Sequence, residues 1–135
     1  MIGIVIVAHG GLAREYLAAM EHVVGKRPGT RAVSIGADDN RAEKQAEINA
    51  AVDAVDDGSG VVVVTDMFGG TPSNISLTFL EDNNVEVISG VNLPMLLKLA
   101  TLSDKVKLEE AVKIAEAAGR DNIIVASKLL HNRNA

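Results

Sequence analysis

Two polar residues, His9 and Asp66, each follow an apolar run of the sequence at a point where a glycine-containing loop begins. The first run, "IGIVIVAHGG", leads from β-branched residues into His9, and the second, "VVVVTDMFGGTPSN", places four valines before Asp66. A helix that starts beside a histidine disfavours its charged form, so a neutral, nucleophilic imidazole is favoured at His9. A carboxylate that hydrogen-bonds one ring nitrogen would fix the tautomer and direct the other nitrogen at an electrophile.

The loops after both residues contain groups that bind anions. Glycines let the backbone approach a ligand closely, and the N–H groups at the start of a helix attract negative charge. We predict phosphate contacts from Gly10, Gly11, Gly69, Gly70, Thr71 and Ser73. Together with His9 and Asp66, these groups favour a histidine that accepts and donates a phosphoryl group.

Simpler interpretations of the same residues stay open. Asp66 could be a helix cap, the glycines could form a tight turn, and Ser73 could be a cap as well. Met67, Phe68 and Leu96 could belong to the core, or they could form an apolar rim beside the active loops where a partner docks. We retain the docking interpretation as a prediction.

The elements that must position these residues are strands alternating with helices. Continuous apolar runs predict strands that are covered on both faces, and amphipathic stretches predict the helices between them. We expect strands at 2–8, 32–35, 60–65, 85–89 and 122–127, and helices at 12–24, from Asp39 or Asn40 to 56, at 73–82, from 94, and at 105–118 ended by Gly119.

This alternation predicts an α/β fold with a doubly wound, open and mostly parallel sheet. The expected flavodoxin-like order, 2-1-3-4, places strands 1 and 3 side by side, and ligands bind outside their carboxyl ends. His9 and Asp66 should therefore meet in one crevice. We expect residues 1–130 to form a single domain and residues 131–135 to form a tail.

Composition excludes several classes of function. A net charge of -5 and an aromatic content of 2% argue against a nucleic-acid partner. The absence of cysteine excludes disulfides, thiolate nucleophiles and cysteine-ligated metals. No run is long enough to cross a bilayer and no signal peptide is recognisable, so we expect a cytoplasmic location.

Other site types need residues that this chain lacks. A nucleotide-binding P-loop requires a lysine after its glycines, and a dinucleotide site requires G-x-G-x-x-G after the first strand. A zinc site is disfavoured because the three histidines, His9, His22 and His131, are scattered. A phospho-aspartate receiver domain would need acidic residues at the end of strand 1, where this chain has Ala8 and His9. We expect neither a metal nor a cofactor.

Three motifs, "IVIVAHG", "VTDMFGGTPSN" and "GVNLPML", occur in this order over most of the chain. In their residues and spacing they resemble the enzyme IIA component of the mannose family of the bacterial sugar phosphotransferase system. The resemblance implies that His9 receives phosphate from the phosphocarrier protein HPr and passes it to a IIB component, while Asp66 orients the imidazole. It also implies indirect links to the membrane components IIC and IID.

The resemblance further implies a homodimer in which the last strand, around 122–127, is exchanged between subunits. An apolar edge strand gives an independent hint of association. Because the chain stops at "HNRNA" and not in a linker, a IIB partner is expected as a separate chain. Two alternatives stay open: a regulatory phosphocarrier without a dedicated transporter, and the phosphotransfer subunit of a dihydroxyacetone kinase, although "FGGTPSN" favours the mannose branch.

Overall fold

The computed structural model describes residues 1–81 and 84–133 and contains a sheet with helices on both faces. The strands are β1 (Gly3–His9), β2 (Thr30–Ile35), β3 (Val61–Thr65) and β4 (Val85–Ser89). The helices are α1 (Leu12–Val24), α2 (Arg41–Val55), α3 (Thr71–Ser76), α4 (Leu93–Ala100), α5 (Leu108–Asp121) and α6 (Ala126–Arg133), and a 3₁₀ segment (Leu77–Glu81) follows α3.

The four strands are parallel and lie in the order β2-β1-β3-β4, which confirms the predicted fold class. In this register His9 pairs with Ile35 of β2, and Val7 pairs with Thr65 of β3. The carboxyl ends of β2, β1 and β3 therefore meet at one edge of the sheet, with His9 in the middle.

The core lies on both faces of the sheet, because the central strands bury every one of their valines and isoleucines. On one face, Ile4 and Ile6 pack with α1, α4 and α5. On the other face, Val5 and Val7 pack with α2 and α3. A strand covered on both sides needs an apolar residue at every position, which is why the sequence runs without alternation.

Asn40 is the N-cap of α2, which settles the choice that the sequence left between Asp39 and Asn40. The Asn40 side chain accepts a hydrogen bond from the backbone N–H of Glu43 at 3.0 Å, the usual geometry of an N-cap. Asp39 instead accepts a hydrogen bond from the backbone N–H of Gly36. Both contacts fix the loop between β2 and α2.

The predicted helix over 73–82 is shorter than expected. It begins at Thr71 and tightens into the 3₁₀ segment at Leu77. Asp82, the predicted end, lies outside the described residues. Pro72 lies in the first turn of α3, where a helix tolerates proline because the first N–H groups need no partner within the helix.

The prediction that Gly119 ends a helix is wrong. Gly119 lies inside α5, which continues to Asp121. A Cβ atom at this position would approach Met95 Cε to 2.9 Å, and the Gly119 carbonyl accepts a hydrogen bond from the Asn92 side chain at 2.9 Å. The glycine is therefore explained by close packing of α5 against α4.

The predicted last strand, 122–127, is not a strand in the described chain. Residues 123–125 have no regular structure, and α6 begins at Ala126. Within the described chain no neighbouring strand lies beside this segment, so its β-branched residues have no backbone partner in a ladder. Ile123, Ile124 and Val125 are 75%, 57% and 54% exposed.

The predicted boundary between domain and tail falls inside α6, which runs from Ala126 to Arg133. Residues 134 and 135 of the predicted tail lie outside the described residues. In residues 1–81 and 84–133, no helix is long and apolar enough to cross a membrane.

Candidate functional site

His9 and Asp66 are in direct contact at the carboxyl edge of the sheet, as the sequence predicts. One carboxylate oxygen, Oδ2 of Asp66, lies 2.7 Å from Nδ1 of His9 and 3.0 Å from the backbone nitrogen of His9. The other oxygen accepts a hydrogen bond from the backbone N–H of Met67 at 2.9 Å. Both oxygens of the carboxylate therefore have hydrogen-bond partners, and the ring nitrogen that contacts Asp66 is Nδ1.

This contact determines which ring nitrogen is free. With Nδ1–H donating to Asp66, the lone pair of His9 lies on Nε2. The His9 side chain is 47% exposed and the Asp66 side chain is 13% exposed. A nucleophilic nitrogen therefore lies within reach of another molecule while its supporting carboxylate is shielded.

The environment of Asp66 keeps its carboxyl ionised. Partial burial acts to raise the pKa, but the hydrogen bonds from the backbone and side chain of His9, together with the backbone N–H of Met67, outweigh burial and hold the pKa of Asp66 below its usual value. The ionised form is the one that can stabilise a positively charged imidazole.

The glycines bring the two loops close to the ring. Gly10 adopts φ +57° and Gly69 adopts φ +91°, conformations that residues with a side chain rarely adopt. Gly70 has an ordinary φ, but a Cβ atom there would lie 2.9 Å from Cε1 of His9. A larger residue at position 70 would therefore require the imidazole ring to move.

The helices that follow these loops begin without a side-chain cap. Gly11 is the N-cap of α1 and Gly70 is the N-cap of α3, and neither position supplies a side-chain hydrogen bond to the first turn. Phosphate contacts from Gly10, Gly11, Gly69 and Gly70 stay a prediction.

The two hydroxyl groups predicted to bind phosphate lie in different places. Thr71 lines a cavity together with His9. Ser73 is fully buried, and its Oγ lies 3.4 Å from Oγ of Ser89, which accepts a hydrogen bond from Thr65 at 2.7 Å. The Ser73 hydroxyl therefore joins the ends of β3 and β4 to α3, and its contact with phosphate stays a prediction.

The cavity beside His9 has a volume of about 380 Å³ and contains residues that the sequence analysis did not select. Its polar lining beyond the predicted loops comes from Asp39, Arg41 and Lys44. The sequence did contain a signal for these residues, because the predicted strand order 2-1-3-4 places the loop after β2, and the helix that follows it, next to the end of β1. A larger cavity of about 560 Å³ lies between α4 and α5, but it is not lined by His9 or Asp66.

Lys44 is engaged in ion pairs at this cavity. Its ammonium lies 2.9 Å from Glu47 and 3.6 Å from Asp39. The hydrogen bond with Glu47 is the main cause of a raised pKa, with Asp39 contributing in the same direction against partial desolvation. Lys44 is therefore charged at neutral pH and already partnered.

The three predicted docking residues are divided by their exposure. Met67 and Phe68 are 54% and 73% exposed, directly after Asp66. Leu96 is fully buried among the residues of α1, α4 and α5. The docking prediction for Leu96 is wrong, because its position in α4 faces the core, whereas the prediction stands untested for Met67 and Phe68.

This chain is similar to known proteins in both sequence and fold. A family model described as the EIIA-man family, PTS system fructose IIA component, matches residues 3–116. The PTS system mannose-specific EIIAB component of Escherichia coli strain K12 is 31% identical over 124 residues, which cover 90% of this chain and 38% of that protein. The chain thus spans well under half the length of this relative.

Two further relatives match over nearly their whole length. The PTS system fructose-specific EIIA component of Bacillus subtilis is 26% identical over 131 residues, 96% of this chain and 90% of that protein. The crystal structure of the PTS IIA protein associated with the fucose utilization operon of Streptococcus pneumoniae is 30% identical, covers 96% of both chains, and superposes with a TM-score of 0.82. The chain therefore belongs to the mannose-type enzyme IIA family of the phosphotransferase system.

Proposed function

We propose that the protein is a phosphohistidine carrier, in which His9 accepts a phosphoryl group from phospho-HPr and passes it to a IIB component during sugar uptake. One observation carries the proposal: the 2.7 Å contact between Asp66 Oδ2 and His9 Nδ1, which leaves Nε2 of a half-exposed ring free. Membership of the enzyme IIA family supports it.

The chemistry follows from the hydrogen bonds. The Nε2 lone pair of His9 forms a bond to phosphorus while the bond between phosphorus and the donor's imidazole breaks, and the donor nitrogen keeps that electron pair. The His9 ring gains positive character, which the ionised Asp66 stabilises through the Nδ1 proton. Transfer to the next carrier is the same step in reverse, so no cofactor or metal is required.

The glycine loops supply the groups that would hold the phosphoryl oxygens. Our candidates are the backbone N–H groups of Gly11, Gly69 and Gly70 and the hydroxyl of Thr71, which lines the same cavity as His9. Gly10 also lines this cavity, but its N–H already donates to the carbonyl of Ile35 at 2.9 Å. An anion is favoured at uncapped helix starts, because the first N–H groups have no partner within the helix.

Protein partners would approach the exposed side of His9. Met67 and Phe68 directly follow Asp66 on the loop after β3 and expose large apolar side chains, which favours them as contacts with HPr and with IIB. In this proposal the membrane components IIC and IID act downstream of IIB, and the protein works in the cytoplasm.

The exposed apolar residues near the end of the chain support a homodimer. Ile123, Ile124 and Val125 precede α6, where Leu129 and Leu130 are 46% and 57% exposed. In the described chain β4 pairs with β3 on one side only, so its other edge is open. We propose that the segment 122–127 of a second copy pairs there and closes a two-fold dimer.

The direct test is a reconstituted transfer reaction with enzyme I, HPr and phosphoenolpyruvate, followed by intact mass measurement. The proposal expects the gain of one acid-labile phosphate, which disappears when a cognate IIB is added. Labelling that no IIB removes would favour a regulatory phosphocarrier. Labelling only by the partners of a dihydroxyacetone kinase, and not by HPr, would reject the sugar phosphotransferase role.

A further inference from the structure

The cavity beside His9 contains two cationic side chains, Arg41 and Lys44, which the steps described above do not use. Both lie in the first turn of α2, on the opposite side of β1 from Asp66. His9 therefore lies between a carboxylate on the β3 side and cations on the β2 side.

The two cations differ in how far they are neutralised. Lys44 is paired with both Glu47 and Asp39, and Asp39 also accepts the N–H of Gly36. Arg41 is exposed, and within residues 1–81 and 84–133 it has neither an ion pair nor a side-chain hydrogen bond. The cavity thus keeps one unpaired guanidinium on its wall.

A guanidinium is well suited to a phosphoryl group. It is planar and always charged, and its N–H groups match the spacing of two phosphate oxygens. A phosphoryl group on Nε2 of His9 would be a dianion beside the cavity that both His9 and Arg41 line. Among the described lining residues the one carboxylate is Asp39, which already accepts the N–H of Gly36 and pairs with Lys44.

We propose that Arg41 binds the phosphoryl group carried by His9, which makes it a phosphoryl-binding residue supplied by the start of α2. This inference rests on the proposed phosphorylation of His9. It adds a positive charge to the backbone N–H groups of the glycine loops, and it gives the cavity of about 380 Å³ a role in the reaction.

The test uses phosphoramidate as a donor, because this small molecule bypasses protein docking. Nε2 of His9 forms a bond to phosphorus while the P–N bond of phosphoramidate breaks. The nitrogen of phosphoramidate, which is already protonated, keeps the electron pair of that bond and leaves as ammonia. Wild type, Arg41→Ala and Arg41→Lys are compared, with Arg31→Ala as the matched control. Arg31 is exposed near the amino end of β2, at the opposite edge of the sheet from His9, and its guanidinium donates to the carbonyl groups of Pro28 and Thr30.

Two readouts are measured on the full chain. The first is the labelling rate, which should fall about fivefold in Arg41→Ala, the effect of an exposed ion pair at the strong end of the usual range. The second is a ³¹P titration of the phosphorylated protein. A nearby cation favours the dianion, so the pKa of the phosphoryl group should rise when Arg41 is removed. Arg41→Lys should be intermediate, and Arg31→Ala should match wild type.

Each outcome separates this inference from the function on which it rests. Equal rates and equal phosphoryl pKa values in Arg41→Ala and wild type would overturn it, as would the same loss in Arg41→Ala and Arg31→Ala. If phosphoramidate labels the wild type but HPr does not, the carrier function fails while the comparison of the Arg41 variants still decides the inference. If neither donor labels the wild type, both are rejected.

Discussion

At the scale of single residues, the pair His9 and Asp66 combines reactivity with control. The carboxylate receives three hydrogen bonds, two of them from His9 itself and one from Met67, so its position does not depend on a bound substrate. Because Asp66 is held ionised, it can offset the charge that develops on the ring during transfer. The orienting role of Asp66 can be separated from a role as a simple helix cap.

Asp66→Asn should slow phosphoryl transfer while leaving the fold intact. The amide has nearly the shape of the carboxylate, but it carries no charge and its NH₂ group cannot accept the Nδ1 proton. The loss of a hydrogen bond to a charged group predicts a rate lower by about tenfold or more. The measurement is the transfer rate from phospho-HPr by rapid quench, with circular dichroism to check the fold.

The matched control for this variant is Asp53→Asn, which removes an exposed carboxylate of α2 that does not line the cavity beside His9. It should transfer at the wild-type rate. Unchanged transfer in Asp66→Asn, in both directions, would reduce Asp66 to a structural cap of the loop.

At the scale of elements, the turn between β3 and α3 must approach the ring without a side chain. Gly70→Ala would place a Cβ atom 2.9 Å from Cε1 of His9. Since the φ of Gly70 is ordinary, the backbone tolerates alanine and the ring must move away from its contact with Asp66. We expect a lower transfer rate with little change in the thermal midpoint of unfolding.

Gly29→Ala is the control for this substitution, because a Cβ atom at Gly29 meets nothing within 4 Å and the residue lies at the amino end of the sheet. It should change neither the rate nor the midpoint. If Gly70→Ala also transfers normally, the close approach of the loop to His9 has no part in the reaction.

The sequence was sufficient for the elements that depend on local pattern. The four valines before Asp66 and the apolar run before His9 identified β3 and β1, and parallel pairing then placed both residues in one crevice. It was insufficient where the orientation of a short helix decides whether a side chain is buried or exposed. Ser73 and Leu96 lie in the first turns of α3 and α4, and only the packing of those helices shows that both side chains point inward.

Arg41 was missed for a related reason. It lies at the start of an amphipathic helix, where an exposed arginine is expected on sequence grounds alone and carries no signal. Its role is suggested by the cavity at the ends of β1 and β2, which Arg41 lines together with His9. That cavity forms only when the strands and helices pack, so the sequence pattern does not reveal it. The prediction for Gly119 failed because the local sequence does not distinguish a glycine that ends a helix from one that leaves room for a packed side chain, here that of Met95.

At the scale of the whole molecule, the segment 122–127 shows what a single chain cannot supply. Its composition is that of a strand, yet no backbone partner lies beside it within the described residues, and three large apolar side chains remain exposed. Such a segment is expected to associate with another copy.

We therefore expect a dimer at micromolar concentration, and Ile123→Glu should shift it toward monomer, since a charge would be buried at the subunit contact. Sedimentation velocity gives the answer, with Val23→Glu as a control at an exposed apolar position of α1 outside the segment. A wild-type protein that sediments as a compact monomer would exclude strand exchange, while the assignments of His9 and Asp66, which lie in one chain, would be unaffected.

The central claim is that His9 carries the phosphoryl group. The most direct measurement is the intact mass of His9→Ala and His22→Ala after incubation with enzyme I, HPr and phosphoenolpyruvate; His22 is an exposed histidine in the last turn of α1. The account predicts one added phosphate on wild type and on His22→Ala and none on His9→Ala. Phosphate on His9→Ala at the wild-type rate would contradict it.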